Sequence, residues 1–112
     1  MADDKTEAYE LSRIDATPTK NSGRGAFNKG DGIIFDGSDP VFTCDVKEYA
    51  KSFPISINTW AKISLDAKKN GNSRPLFKIV LGHEEPRTRV VVIDEEMFNM
   101  IMEGYWKYEE LK

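Results

Sequence analysis

Apolar positions recur with two different periods along this chain, and the alternation between them predicts seven elements. From Asp3 to about Ile14 the pattern is helical, with Ala8, Leu11 and Ile14 along one face. Asp3 or Asp4 favours the positive end of its dipole, and Glu7 and Glu10 sit about one turn apart. Thr17-Pro18-Thr19-Lys20-Asn21-Ser22-Gly23-Arg24-Gly25 breaks regular structure and predicts an exposed loop over 17–30. Gly30-Asp31-Gly32 leads into a short strand, Ile33-Ile34-Phe35. Asp36-Gly37-Ser38-Asp39-Pro40 predicts a turn, and Val41 to about Tyr49 a second strand, making a hairpin with a longer loop.

The second half follows the same logic. Ser56 or Asn58 caps a helix running to Asn70, with Gly71 as its stop. Ile57, Trp60, Ile63 or Ser64, and Ala67 form its inner face, while Lys62, Asp66 and Lys69 fall on the wetter side. Leu76 to Leu81 reads as a third strand and Thr88 to Ile93 as a fourth. The β-branched run in the fourth predicts a buried central position. Asp94 caps a last helix, whose stripe is Phe98, Ile101, Met102, Tyr105 and Trp106. The order is α-β-β-α-β-β-α in one domain.

Composition narrows the class without naming a function. The 112 residues hold one core, and 39% hydrophobic with 31% charged residues is ordinary for a globular protein. No apolar run approaches the ~20 residues that span a bilayer. The N-terminus Met1-Ala2-Asp3-Asp4-Lys5 is acidic rather than signal-like, which predicts a cytoplasmic location. The lone cysteine, Cys44, excludes an internal disulfide and a cysteine-based zinc cluster; it reads as a buried small hydrophobe. His83 falls in an exposed loop.

Net charge is −3, which by itself argues against a nucleic-acid partner. Its distribution argues otherwise. Residues 16–30 carry +3 and 46–83 carry +5, and between them 31–45 carries −4. A carboxylate-rich segment between two basic ones suits a metal site beside a phosphate-binding surface.

Asp31, Asp45 and Lys47 carry the candidate chemistry. Asp45 and Lys47 share one face of a strand because side chains alternate, while Phe42, Cys44 and Val46 make the other face apolar. Asp31 begins the neighbouring strand, so a hairpin brings both carboxylates to one edge. Two hard oxygen donors and the backbone carbonyl of Val46 suit Mg²⁺, with Mn²⁺ as a substitute. Such a site activates a water and polarises a phosphoryl oxygen, and Lys47 is placed to orient that water or neutralise developing charge.

Gly30-Asp31-Gly32-Ile33-Ile34 together with Cys44-Asp45-Val46-Lys47-Glu48-Tyr49 resembles the core of the PD-(D/E)XK nucleases, nearest to small Holliday-junction-resolvase-like and phage-encoded members. The resemblance runs from the first helix to about Leu81. It implies a restriction-endonuclease-like α/β fold with a mixed sheet of about four strands flanked by helices. It also implies that Asp31 and Asp45 are the motif acids, Lys47 the motif lysine, and Glu10 or Glu7 a further metal ligand. Asp45 departs from the commoner glutamate, and the glutamine of some members is missing, with Asn58 as the nearest stand-in. The Asn21–Gly25 loop is similar to a Ser/Gly/Arg segment of resolvase-like members, which adds Ser22 and Arg24, with Lys20, Lys29 and Lys51, as phosphate contacts.

These observations predict a Mg²⁺-dependent endonuclease acting on duplex, nicked or branched DNA. The alternatives are a non-catalytic nucleic-acid-binding module with the same fold and a small acidic interaction protein. Tyr105, Trp106 and Tyr108 exceed what so small a sheet covers, so the last helix suits either packing on the sheet or a homodimer interface.

Overall fold

Residues 39–49 are buried on both faces near Cys44 and Asp45 because the strand they form lies in the middle of a sheet covered by helices on both sides. The computed structural model describes residues 4–19 and 27–111. Its elements are α1 (Asp4–Ser12), β1 (Thr17–Pro18), β2 (Gly32–Asp36), β3 (Asp39–Tyr49), α2 (Ile57–Lys69), β4 (Arg74–Leu81), β5 (Thr88–Val92) and α3 (Glu95–Glu110). The five strands form one mixed sheet in sequential order. β1, β2 and β3 run antiparallel in turn, β3 and β4 are parallel, and β5 is antiparallel to β4. The parallel pair requires a crossover, and α2 supplies it. Among the described residues, no helix is long and apolar enough to cross a membrane.

The α/β class and mixed sheet agree with the sequence reading; the element order is corrected by one strand. Thr17-Pro18 lies in the segment expected to hold no regular structure, yet it pairs with Ile33 and Gly32 as an edge strand. An edge tolerates proline because one side of it needs no ladder partner. The hairpin is also tighter than expected. Asp36 pairs with Asp39 around Gly37-Ser38, with Gly37 at φ +62°, and a register shift at Ile34/Phe35 absorbs the misfit.

The core has two halves, one on each sheet face. Leu11 and Ala16 pack on Cys44, Val46 and Leu76, with Ile14, Ile34, Phe42 and Ile93 at the margin. On the other face Ile63 packs on Phe77 and Ile79, bordered by Phe53, Trp60, Leu81 and Val92. Ser56 caps α2 by accepting from Thr59 N–H, which settles the choice of cap, and Asn70 closes it. Ile57, expected on the inner face, is almost fully exposed because it stands in the first turn, before α2 reaches the sheet.

Two further expectations, both on the elements after β4, are corrected. β5 is an edge strand rather than a central one, and Val90 and Val91 are exposed. The central strands are β3 and β4, whose apolar runs are interrupted by Asp45, Glu48 and Lys78. α3, capped by Asp94 as expected, buries none of its residues. Its stripe does not pack on the sheet.

Candidate functional site

The site begins at the point where β2 starts. Gly30 has φ +72°, and a Cβ there would stand 2.7 Å from Thr43 Cγ2 and 3.2 Å from the Cys44 carbonyl. Only glycine lets the chain pass so close to β3 before turning into β2. The segment is pinned from both sides. Thr19 Oγ1 donates to the Gly30 carbonyl (2.8 Å) and Thr19 N–H to the Asp31 carbonyl (3.1 Å). Buried Asn70, at the end of α2, accepts from Lys29 N–H and donates to the Lys29 carbonyl (2.8 Å) and Thr43 Oγ1 (3.0 Å). Thr43 and Ser73 hydroxyls then pair at 2.7 Å, so the polar side chains behind the site are satisfied.

This brace sets Asp31 against β3. Asp31 N–H donates to the Cys44 carbonyl (2.9 Å), and Asp31 Oδ2 accepts from Val46 N–H (2.8 Å). A residue's N–H and C=O leave a strand on the same side, so the Val46 carbonyl also points toward Asp31, beyond the start of β2. Asp45 is buried, and burial pushes its carboxyl pKa up; the neighbouring Asp31 carboxylate pushes it further, against Lys47 and Lys62. Two carboxylates held together in a partly dry site are a disfavoured arrangement on their own.

Lys47 follows Asp45 on the same face of β3, with Nζ 5.6 Å from the centre of the Phe53 ring. That face is the α2 face, because Asp45 and Lys47 register with Phe77 and Ile79. The structure therefore brings Asp31, Asp45 and Lys47 together. Two groups expected on the wetter side of α2 also act on the Asp45 carboxyl: Lys62, which is exposed as expected, and Asp66, which is half-buried. They are ion-paired at 3.6 Å, Lys62 lowering the Asp45 pKa and Asp66 raising it. The signal was their opposite charge at i,i+4.

Glu10 is placed elsewhere, and this corrects its assignment to the aspartate pair. It is fully buried on the α1 face, where Lys78 also points. Its carboxylate meets Lys78 Nζ (3.0 Å), Arg89 Nε (2.9 Å) and Arg87 Nη2 (3.2 Å). Burial alone would raise its pKa; hydrogen bonds and charge from Arg89 and Lys78 outweigh that and hold it below the usual value. A carboxylate satisfied by three cations has no need of a metal. Glu7 stands one turn earlier on the same helix and is half-buried. The sequence signal missed here was Lys78, a lone charge inside Leu76–Leu81.

Of the expected phosphate contacts, Lys29 and Lys51 are exposed, as is Asn58, the stand-in for the missing glutamine, while Lys20, Ser22 and Arg24 lie outside the described residues. Trp60 is half-buried and tilts against Phe77 with centroids 5.8 Å apart, as a core residue would. Cys44 is buried among apolar groups, which push its thiol up to about 12, and His83 is exposed.

Among the described residues, no cluster of three or more His, Cys, Asp or Glu side chains forms a metal cage. The donor set is two carboxylates and a backbone carbonyl. That fits Mg²⁺ or Mn²⁺, since Mg²⁺ in particular keeps several waters and needs only one or two carboxylates. Comparison with known proteins finds no matching family model, curated protein or solved structure.

Proposed function

We propose that this chain is a Mg²⁺-dependent endonuclease that hydrolyses DNA phosphodiesters, as its resemblance to the PD-(D/E)XK nucleases implies. The observation that carries the reading is the pairing of buried Asp45 with Asp31, with Lys47 next on the same face of β3. A mixed five-stranded sheet with helices on both faces is compatible with the fold that the resemblance implies.

In this reading Asp31, Asp45 and the Val46 carbonyl hold the cation. The bound ion would supply an activated water and charge stabilisation at the phosphoryl group. The chain's own residues do the rest. The Val46 N–H fixes the orientation of Asp31, and the Asn70 brace fixes the backbone that carries it. Lys47, anchored over Phe53, places a cation beside the pair, where it orients the attacking water or neutralises charge on the phosphate. Lys29, Lys51 and Lys62 offer exposed positive charge for the DNA backbone. Branched or nicked DNA is the substrate class that the resemblance favours.

The deciding experiment is a nicking assay on single-stranded, duplex and four-way-junction DNA with Mg²⁺, Mn²⁺ or EDTA, comparing the wild-type chain with Lys47→Ala. Cleavage is expected only with a divalent ion and is expected to fall by about 10²-fold or more in the variant, the usual effect of removing a transition-state donor. Salt-sensitive DNA binding with no nicking on any substrate would leave the non-catalytic module as the better reading.

A further inference from the structure

The cations on the α1 face of the sheet are shared unevenly between two buried glutamates. Glu10 takes contacts from Lys78, Arg89 and Arg87, whereas Glu48 takes one, from Arg87 Nη1 to its Oε1 (2.9 Å). Glu48 is only 7% exposed. Among the described residues its other oxygen, Oε2, is buried and has no hydrogen-bond partner. Burying a carboxylate oxygen without a donor is costly, so a group that supplies one relieves that cost on binding.

Glu48 also lines a cavity of about 280 Å³, with Thr6 of α1, Ala50, Gly82, His83 and Arg87. The cavity lies at the carboxyl ends of the parallel strands β3 and β4, where open α/β sheets commonly bind ligands. Gly82 N–H donates to the Tyr49 carbonyl (3.0 Å), which joins the two strand ends that wall it. Glu48 shares its strand face with Cys44 and Val46, the α1 face, opposite Asp45 and Lys47. The cavity is therefore a different place from the candidate cleavage site.

The partners already made there narrow the ligand class. Arg87, the cation in the lining, directs its terminal nitrogens at Glu48 and Glu10 and its backbone N–H at Glu85, which disfavours an anion. A metal would need more ligands, and among the described residues no three His, Cys, Asp or Glu side chains gather to hold one. A guanidinium favours both oxygens of a carboxylate, and Oε1 already has Arg87. A primary ammonium is compact, donates only and needs one oxygen; its charge-assisted bond is also of the stronger kind. The terminal torsion of a glutamate is broad, so a small turn brings Oε2 to the cavity while Oε1 keeps Arg87.

We infer that this cavity binds a small primary-ammonium group, of a free amine or of a lysine side chain, with Glu48 Oε2 as its acceptor. This goes beyond the cleavage reading and does not depend on it.

The test is a titration of the ¹⁵N-labelled full chain with ethylammonium chloride at constant ionic strength, followed by the backbone amide resonances of Ala50, Gly82 and His83. Saturable shifts are expected, with a Kd near ~1 mM as the best so small a ligand can give. Tetramethylammonium carries the same charge with no N–H to donate, and is expected to leave these resonances unmoved. Glu48→Gln keeps an acceptor for Arg87 but removes the charge and the second oxygen. It is expected to weaken ethylammonium binding at least about 10-fold, the loss of one charge-assisted hydrogen bond. The comparison of the two cations on the wild-type chain decides the matter even if that variant does not fold. In a last arm, tighter binding of Nα-acetyl-lysine amide than of ethylammonium supports the site and identifies a side chain as the source; weaker binding supports it and identifies a free amine. No saturable shift with ethylammonium up to ~50 mM overturns the inference, as do equal responses to the two cations or unchanged binding by Glu48→Gln.

Discussion

Asp31 Oδ2 accepts a hydrogen bond from the backbone N–H of Val46 at 2.8 Å, which ties the carboxylate at the start of β2 to the strand that carries Asp45 and Lys47. The bond uses one oxygen of Asp31 and leaves the other for a ligand. It also separates two roles that a substitution can distinguish.

Asp31→Asn keeps an oxygen acceptor for Val46 N–H but removes the charge, so it is expected to preserve the fold and abolish metal-dependent nicking. Asp31→Ala loses both. It is expected to cost about 1 kcal/mol more in stability than the asparagine variant, the net worth of one hydrogen bond. Thermal melts of the two variants beside the nicking assay check this. Full cleavage by Asp31→Asn would sink the assignment of Asp31 as a metal ligand.

Asp45 gives a pH dependence with a definite sign. Burial and Asp31 raise its folded-state pKa above the unfolded value, so the folded chain holds this proton more tightly. The contribution to stability is present below the unfolded pKa and is lost as pH rises through the folded one. Without a divalent ion, Asp45→Asn is therefore expected to melt higher than wild type at pH 7, with the gap closing toward pH 4. Mg²⁺ should stabilise wild type by about 2.7 kcal/mol at a hundredfold excess over Kd, and leave the variant unmoved. Calorimetry at several pH values, with and without Mg²⁺, provides both readouts.

Which parts of this arrangement were legible in the sequence depends on how local their causes are. Gly37 in its turn, the Asp94 cap and the alternation around Cys44 rest on near neighbours, and all were readable. Asp45 and Lys47 were placed on one face by period-two alternation alone. The failures are long-range. Val90 and Val91 have the composition of a central strand, yet among the described residues β5 is the edge of the sheet and both are exposed. Glu10 was assigned by its helix position, whereas its fate is decided by Lys78 and Arg89, each more than sixty residues away. Lys62 and Asp66 act on the Asp45 carboxyl because α2 packs over the β3–β4 pair, a packing relation that no window of sequence contains.

The brace behind the site is testable at Asn70. Its buried amide meets the Lys29 backbone and Thr43 Oγ1, so Asn70→Ala leaves buried polar groups unsatisfied at a cost of about 1–3 kcal/mol. Because the same amide holds the approach to Asp31, nicking at saturating Mg²⁺ is also expected to fall, by about 10-fold, in line with supporting residues at metal sites. Asn70→Asp keeps the acceptor for Lys29 N–H but cannot donate to the Lys29 carbonyl, and it buries a charge, so it should lose at least as much stability as the alanine variant. Equal activity of the alanine variant and wild type would remove Asn70 from the positioning role.

Glu10 separates structural from catalytic carboxylates. Its lowered pKa means its stabilising contribution is present above the unfolded value and is lost as pH falls through the folded one, the reverse of Asp45. Glu10→Ala leaves Lys78, almost completely buried, without its anion, and breaking a buried pair in this way costs about 3–5 kcal/mol. Glu10→Gln retains one acceptor oxygen, which Lys78 and Arg89 Nε can share, and is expected to be milder and still folded. If Glu10 only holds the α1 face, the folded glutamine variant should nick DNA with the wild-type Mg²⁺ requirement. A rise of 10-fold or more in the Mg²⁺ concentration at half-maximal rate would instead return Glu10 to the metal site, since loss of a ligand or its support costs about that much.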